Sequence, residues 1–202
     1  MFEGWLSIIV FLPAAAALII ALFLRNDSQI RWFAIGATVL NLVLIVITYA
    51  DFDRGAGGVQ MVDRYEDWIP VAGLRSQYLL GIDGLSAPLV LLTGLLTAVA
   101  AFASWRITLR VREYFIWLLV LETSVLGVFL ALDFLLFFIF WEIELIPMFM
   151  LISIWGSGRN RYSAMKFVIF TLGGSAFMLI GILALFLSSG VDTFAMISIP
   201  SE

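Results

Sequence analysis

Six apolar runs, each close to 20 residues long, leave this chain few ways to fold; they cover about positions 5–24, 32–49, 85–105, 114–132, 134–155 and 166–187. A helix needs about 20 residues to cross roughly 30 Å of hydrocarbon, and it satisfies its own backbone donors and acceptors, as surroundings without water demand. The runs are continuously apolar and lack the period-two alternation of a membrane barrel. Composition points the same way, because 202 residues that are 63% hydrophobic and 13% charged carry too little charge to cover a soluble surface. The predicted fold is all-α: one polytopic membrane domain over 1–202, with six transmembrane helices facing the lipid bilayer.

The charges divide by connection. Eight of the eleven basic residues fall in alternate connections: Arg25 and Arg31 in the first, Arg106, Arg110 and Arg112 in the third, and Arg159, Arg161 and Lys166 around the fifth. Basic residues accumulate in short cytoplasmic loops. The other side carries Glu3, Asp51, Asp53, Asp63, Glu66, Asp67, Asp83, Asp133 and Asp192. Both termini are therefore expected on the non-cytoplasmic side. The connection 50–84 is the one sizeable extramembrane piece, and its glycines at 55–58, followed by alternating polar and apolar residues, predict a small hairpin. Glu3 and the absence of a basic leader make the first run a permanent helix rather than a signal peptide.

Three acids interrupt the apolar runs: Glu122 in the fourth, and Glu142 and Glu144 in the fifth. An ionised side chain at a helix centre costs about 2.5–3.5 kcal/mol on insertion scales. Protonation is the cheapest escape, and a group that gains and loses a proton can carry one. Glu122 lies eleven residues before Asp133 and Glu142 nine after it, on neighbours joined at that turn. At 1.5 Å per residue both sit roughly 14–16 Å from the turn. Glu142 and Glu144 are about 200° apart around the helix, so only one of them can face Glu122; Glu144 can instead bond a neighbouring helix or subunit. Pro147 frees the carbonyl of Ile143, next to Glu142, and a kink there would admit water beside the acid. Lys166 is expected to begin the sixth helix, where a lysine commonly snorkels to the interface.

Several functions are excluded. With no cysteine and no histidine, the chain has no disulfides, no structural zinc cluster, no cysteine-held iron–sulfur centre and no histidine-ligated haem. Basic patches suited to nucleic acid are absent, and the net charge is −4. Gly156, Ser157 and Gly158 read as a turn, not a dinucleotide loop. Gly173, Gly174, Ser175 and Gly181 read as a close-packing helix face. No metal, cofactor or catalytic set in the enzymatic sense is expected.

The stretch Phe138-Ile139-Phe140-Trp141-Glu142-Ile143-Glu144-Leu145-Ile146-Pro147-Met148 resembles the signature fifth helix of the antiporter-like, proton-pumping subunit M of bacterial complex I, the NADH:quinone oxidoreductase. Gly81-Ile82-Asp83-Gly84-Leu85-Ser86, Gly127-Val128-Phe129-Leu130-Ala131-Leu132-Asp133 and Tyr162-Ser163-Ala164-Met165-Lys166-Phe167 fit the same family in order. Glu144 and Ile154-Trp155-Gly156 also resemble chain 4 of the cyanobacterial and plastid NAD(P)H-dehydrogenase-like complex, a close relative. The resemblance implies that Glu142 is the acid essential for proton translocation, and that Glu122 occupies a fourth-helix position often held by Glu or Gln. It also implies an N-terminal portion of a subunit of about fourteen helices, whose essential lysines lie on later helices.

That family implies a proton-translocating, non-redox subunit of a respiratory chain, with Glu142, Glu122, Glu144 and Lys166 as its ionisable path and Pro147 as a helix kink. Flavin, iron–sulfur clusters and quinone are expected on partner subunits of the membrane and peripheral arms. The membrane is expected to be the bacterial cytoplasmic (inner) membrane or a thylakoid. Two other readings fit the residues: a subunit of a multisubunit sodium/proton antiporter or membrane-bound hydrogenase, and a structural module whose acids only tie helices together.

Overall fold

We describe the fold from a computed structural model, in residues 4–65, 76–189 and 193–196. Glu3, Glu66, Asp67 and Asp192, assigned above to the acidic side, lie outside the described residues. Six helices are long and apolar enough to cross a membrane: α1 (Trp5–Phe23), α2 (Asp27–Asp51), α3 (Ser86–Ala103), α4 (Val111–Leu130), α5 (Phe134–Trp155) and α6 (Asn160–Ser189). One 3-10 turn, Ser104–Arg106, follows α3. Between α2 and α3 an antiparallel hairpin pairs β1 (Gln60–Tyr65) with β2 (Tyr78–Ile82), with a register shift between Gln60 and Asp63.

Three helices start earlier than their apolar runs: α2, α4 and α6. The first turns of α2 and α6 are polar and contribute no hydropathy, yet they continue the helix; Asn26 caps α2 by accepting from the Ser28 amide at 2.9 Å. The Asn26-Asp27-Ser28 sequence is thus a helix cap. Lys166 accordingly does not begin the sixth helix, because α6 already runs from Asn160. The last part of the fourth apolar run also departs from the expectation: Ala131 is extended, and the Leu132 amide donates to the Leu79 carbonyl of β2 at 2.9 Å.

The two ends of the bundle are built from opposite charges for a local reason. Helices α1, α3 and α5 begin at one end, and an aspartate satisfies the free amides of each. Asp63, on β1, accepts from the Gly4 and Ser7 amides at 2.9 and 2.8 Å. Asp83 accepts from the Leu85 and Ser86 amides while Ser86 Oγ accepts from the Asp83 amide, a reciprocal cap. Asp133 accepts from the Leu135 and Leu136 amides. A negative charge there also meets the positive end of the helix dipole. At the other end Arg112 donates to the carbonyls of Ile20 and Ala21, which close α1, and Arg31 donates to the Ile107 carbonyl at 2.9 Å. Trp155 Nε1 ties α5 to the same end through the Leu109 carbonyl.

Two apolar clusters fill the bundle. One, at the aspartate end, joins Leu6, Ile9, Ile45, Leu126 and Phe140 to Leu80 and Ile82 of the hairpin. The other, at the arginine end, joins Ala17, Ile20, Ile35, Phe115 and Leu119. Gly127 lets α4 and α5 meet, since a Cβ there would fall onto the Phe140 ring. Serine and threonine hydroxyls inside the spans mostly return to their own helix, as Thr93 does to the Leu89 carbonyl and Thr171 to that of Phe167.

On α6, by contrast, nothing described lies within 4 Å of a Cβ built on Gly173, Gly174 or Gly181. The expected packing face is therefore not filled by any described residue at these glycines, although Ser175 and Ile182 beside them are buried.

Candidate functional site

A polar layer lies between the two apolar clusters. On α2, Asn41 falls between Ile35 of one cluster and Ile45 of the other; on α4, Glu122 falls between Leu119 and Leu126. Asn41 is 0% exposed and Glu122 1%. Asn41 Nδ2 donates to Glu122 Oε1 at 2.9 Å. Thr38 and Thr123 are buried close by in sequence on the same two helices. Glu122 Oε2, Asn41 Oδ1 and Thr123 Oγ1 are fully buried and have no hydrogen-bond partner among the described residues. Each such buried atom is a place where a proton or a water has something to bind.

The second acid approaches the same level from α5. Glu122 is eight residues before the last residue of α4 (130 − 122), and Glu142 is eight after the first of α5 (142 − 134), so each lies about 12 Å from its helix end. Glu142 Oε1 is buried and has no hydrogen-bond partner among the described residues. Phe140, two residues before Glu142, packs on Gly127, which fixes the rotation of α5 against α4. The structure thus brings Glu122 and Glu142 to one depth on packed neighbours, and no described hydrogen bond joins them.

The other residues singled out in the sequence are placed differently. Glu144 is half-buried and makes no described hydrogen bond. Pro147 is buried inside α5, which continues as one helix through it to Trp155. Lys166 is exposed, with Nζ 5.8 Å from the Phe170 ring centroid. It stands six residues into α6 while Glu142 stands thirteen before the end of α5, a difference in depth of roughly 10 Å.

Asn41 is the residue that the sequence reading missed. The signal was there: it is the lone amide within the second apolar run, and such a group in a membrane helix needs a partner. No group of three or more His, Cys, Asp or Glu side chains that could hold a metal is found among the described residues.

Six spans, a bundle closed by aspartates at one end and arginines at the other, and a buried acid with a second acid at its depth define a polytopic membrane protein that holds ionisable groups between its helices. Residues 131–200 match the NADH:quinone oxidoreductase/Mrp antiporter transmembrane family. Over 200 residues, 98% of this chain, the sequence is 38% identical to NAD(P)H-quinone oxidoreductase chain 4-3 of Nostoc sp., covering 35% of that relative. A chain of the respiratory complex I from Thermus thermophilus with bound NADH superposes with a TM-score of 0.80 at 26% identity, over 98% of this chain and 40% of that one. A chain of the Mrp complex from Dietzia sp. shares the fold, with a TM-score of 0.79 at 20% identity over 98% of this chain and 21% of that one.

The chain therefore matches the antiporter family of membrane subunits, and within it the chain 4 or M type of the NAD(P)H-quinone oxidoreductases. It spans little more than a third of the length of the curated relatives it matches.

Proposed function

We propose that this chain is the front part of a proton-translocating membrane-arm subunit of a respiratory quinone oxidoreductase, in which Glu142 carries the proton and Glu122 is a second proton-holding acid at the same depth. The observation that carries the reading is Glu142 Oε1, buried on a half-buried side chain of an apolar span, with no hydrogen-bond partner among the described residues. An acid that tied helices together through Oε1 would have a partner there. Gaining or losing one donor at a buried carboxyl oxygen changes its free energy by about 1–3 kcal/mol. Moving one charge against 100 mV takes about 2.3 kcal/mol. Small movements of a neighbouring helix that add or remove a donor at Oε1 are thus of the right size to drive one proton.

The electron chemistry belongs to partner subunits, because without cysteine or histidine this chain cannot ligate the usual iron centres. The arginine end faces the cytoplasm by the distribution of basic residues. Both termini then lie on the opposite side of a bacterial cytoplasmic or thylakoid membrane. Glu144 and Lys166 contribute at the edge of the site, toward helices of the longer subunit.

In the complete complex, Glu142→Gln is expected to stop or strongly reduce proton pumping while assembled complex stays detectable. Normal pumping per assembled complex would overturn the proposal, and lowered assembly with normal pumping would instead favour a purely structural role.

A further inference from the structure

The Asn41–Glu122 contact leaves a specific pattern of loose ends. One half of the amide is used, Nδ2 donating to Oε1 at 2.9 Å. The other half of each group, Asn41 Oδ1 and Glu122 Oε2, is fully buried and unpartnered. Both are acceptors if the carboxyl is ionised, and then neither can satisfy the other. A proton on Oε2 would change this, because the new O–H has Oδ1 as an acceptor on the same amide, and both loose ends would be satisfied at once. Carboxylic acid and primary amide then close an eight-membered ring with two hydrogen bonds.

The surroundings offer an ionised Glu122 little else. Helices α1 and α3, packed against α4, carry no charged side chain. On α2 the nearest charges are Arg31 and Asp51, each ten residues from Asn41, and on α4 Arg112 and Glu113 lie ten and nine before Glu122; all are roughly 14–15 Å away along their helices. α5 brings only acids, Glu142 and Glu144. Among the described residues no cation faces Glu122 from any element packed on it, and an unpaired buried charge is the costliest way to fill this layer.

We propose that Asn41 and Glu122 form a cyclic acid–amide pair, in which a proton resident on Glu122 Oε2 is held against Asn41 Oδ1. Asn41 is thus a positioning residue: it fixes the carboxyl plane and the oxygen on which the proton sits. This deepens the reading of Glu122 as a proton-holding acid and does not depend on Glu142.

The test is infrared spectroscopy of the complete complex in membranes with 13C-labelled glutamate, comparing wild type with Glu122→Gln. Wild type should show a protonated-carboxyl C=O band that Glu122→Gln removes. In Asn41→Leu the band should persist but move to higher wavenumber, because its hydrogen bonds are lost. If Asn41→Leu does not assemble, the isosteric Asn41→Asp should shift the band as well, since an oxygen replaces the N–H donor. Carboxylate bands in place of the acid band would overturn the proposal and point to a trapped water bridging the two oxygens. A band unmoved by either Asn41 variant would overturn it too, because the O–H would then be held by an acceptor other than Asn41. Because the band is read without turnover, this outcome is independent of whether Glu142→Gln stops pumping.

Discussion

Asp133 joins the α4–α5 turn, the start of α5 and the approach to β2 in one side chain, and replacing it should loosen all three. It is 0% exposed. Its Oδ1 accepts from the Leu135 and Leu136 amides at 3.0 and 3.1 Å and from Ser76 Oγ at 3.0 Å; its Oδ2 accepts from the Gln77 amide at 3.0 Å. Asp133→Ala removes every acceptor and strands three amides. A buried amide left unpaired costs about 1–3 kcal/mol. The Leu136 amide is fully buried, whereas Leu135 and Gln77 are partly open to water, so the lower part of that range applies to them. The sum is about 3 kcal/mol, which at 1.4 kcal/mol per decade is roughly a hundredfold.

Asp133→Asn keeps one oxygen for the α5 cap and loses the acceptor of Gln77. It should cost only about 1 kcal/mol, roughly a fivefold effect. Hydrogen–deuterium exchange in the intact complex reads this directly, in peptides covering 76–82 and 133–138. The alanine variant should exchange roughly a hundredfold faster in both peptides, and the asparagine variant should show its smaller effect chiefly in the first. Exchange unchanged in Asp133→Ala would show that the capping argument is wrong.

Two further outcomes follow from packing and charge. Gly127→Ala sets a methyl against the Phe140 ring, and overpacking of this kind costs about 1–3 kcal/mol; thermal melting should show a loss that Phe140→Leu partly relieves, and an additive double variant would mean the two do not touch. Burial holds the Tyr78 hydroxyl above the ordinary tyrosine value of 10.0, against the opposing hydrogen bond to Ser7. The unfolded chain then ionises first as pH rises. Stability should fall from about pH 10 until the folded hydroxyl ionises as well, and Tyr78→Phe should remove that part of the slope.

Much of the fold was legible because membrane insertion is a linear problem. Apolar length alone marked the six spans, since the bilayer fixes how many residues a helix needs. Where hydropathy was silent the boundaries shifted: the polar first turns of α2 and α6 look like loop by composition, but their amides and carbonyls close the same ladder as the rest of the helix. The acidic residues at one end could be read from sequence only as a tally for orientation. In the structure Asp63, Asp83 and Asp133 each cap a helix, so their placement follows from the direction in which α1, α3 and α5 run.

By itself the sequence determined that this chain lies in a membrane, that only three of its acids fall inside the apolar runs, and that Glu142 lies in a stretch resembling the fifth helix of an antiporter-like subunit. What only the tertiary structure decided was partnership. Asn41 and Glu122 are 81 residues apart in the chain, and no periodicity within one helix reports which neighbour it will face. That is set by how the two apolar clusters close around α2 and α4. Packing rotates each helix to bury its small and branched residues, and the polar groups on the same face are carried to one another as a result.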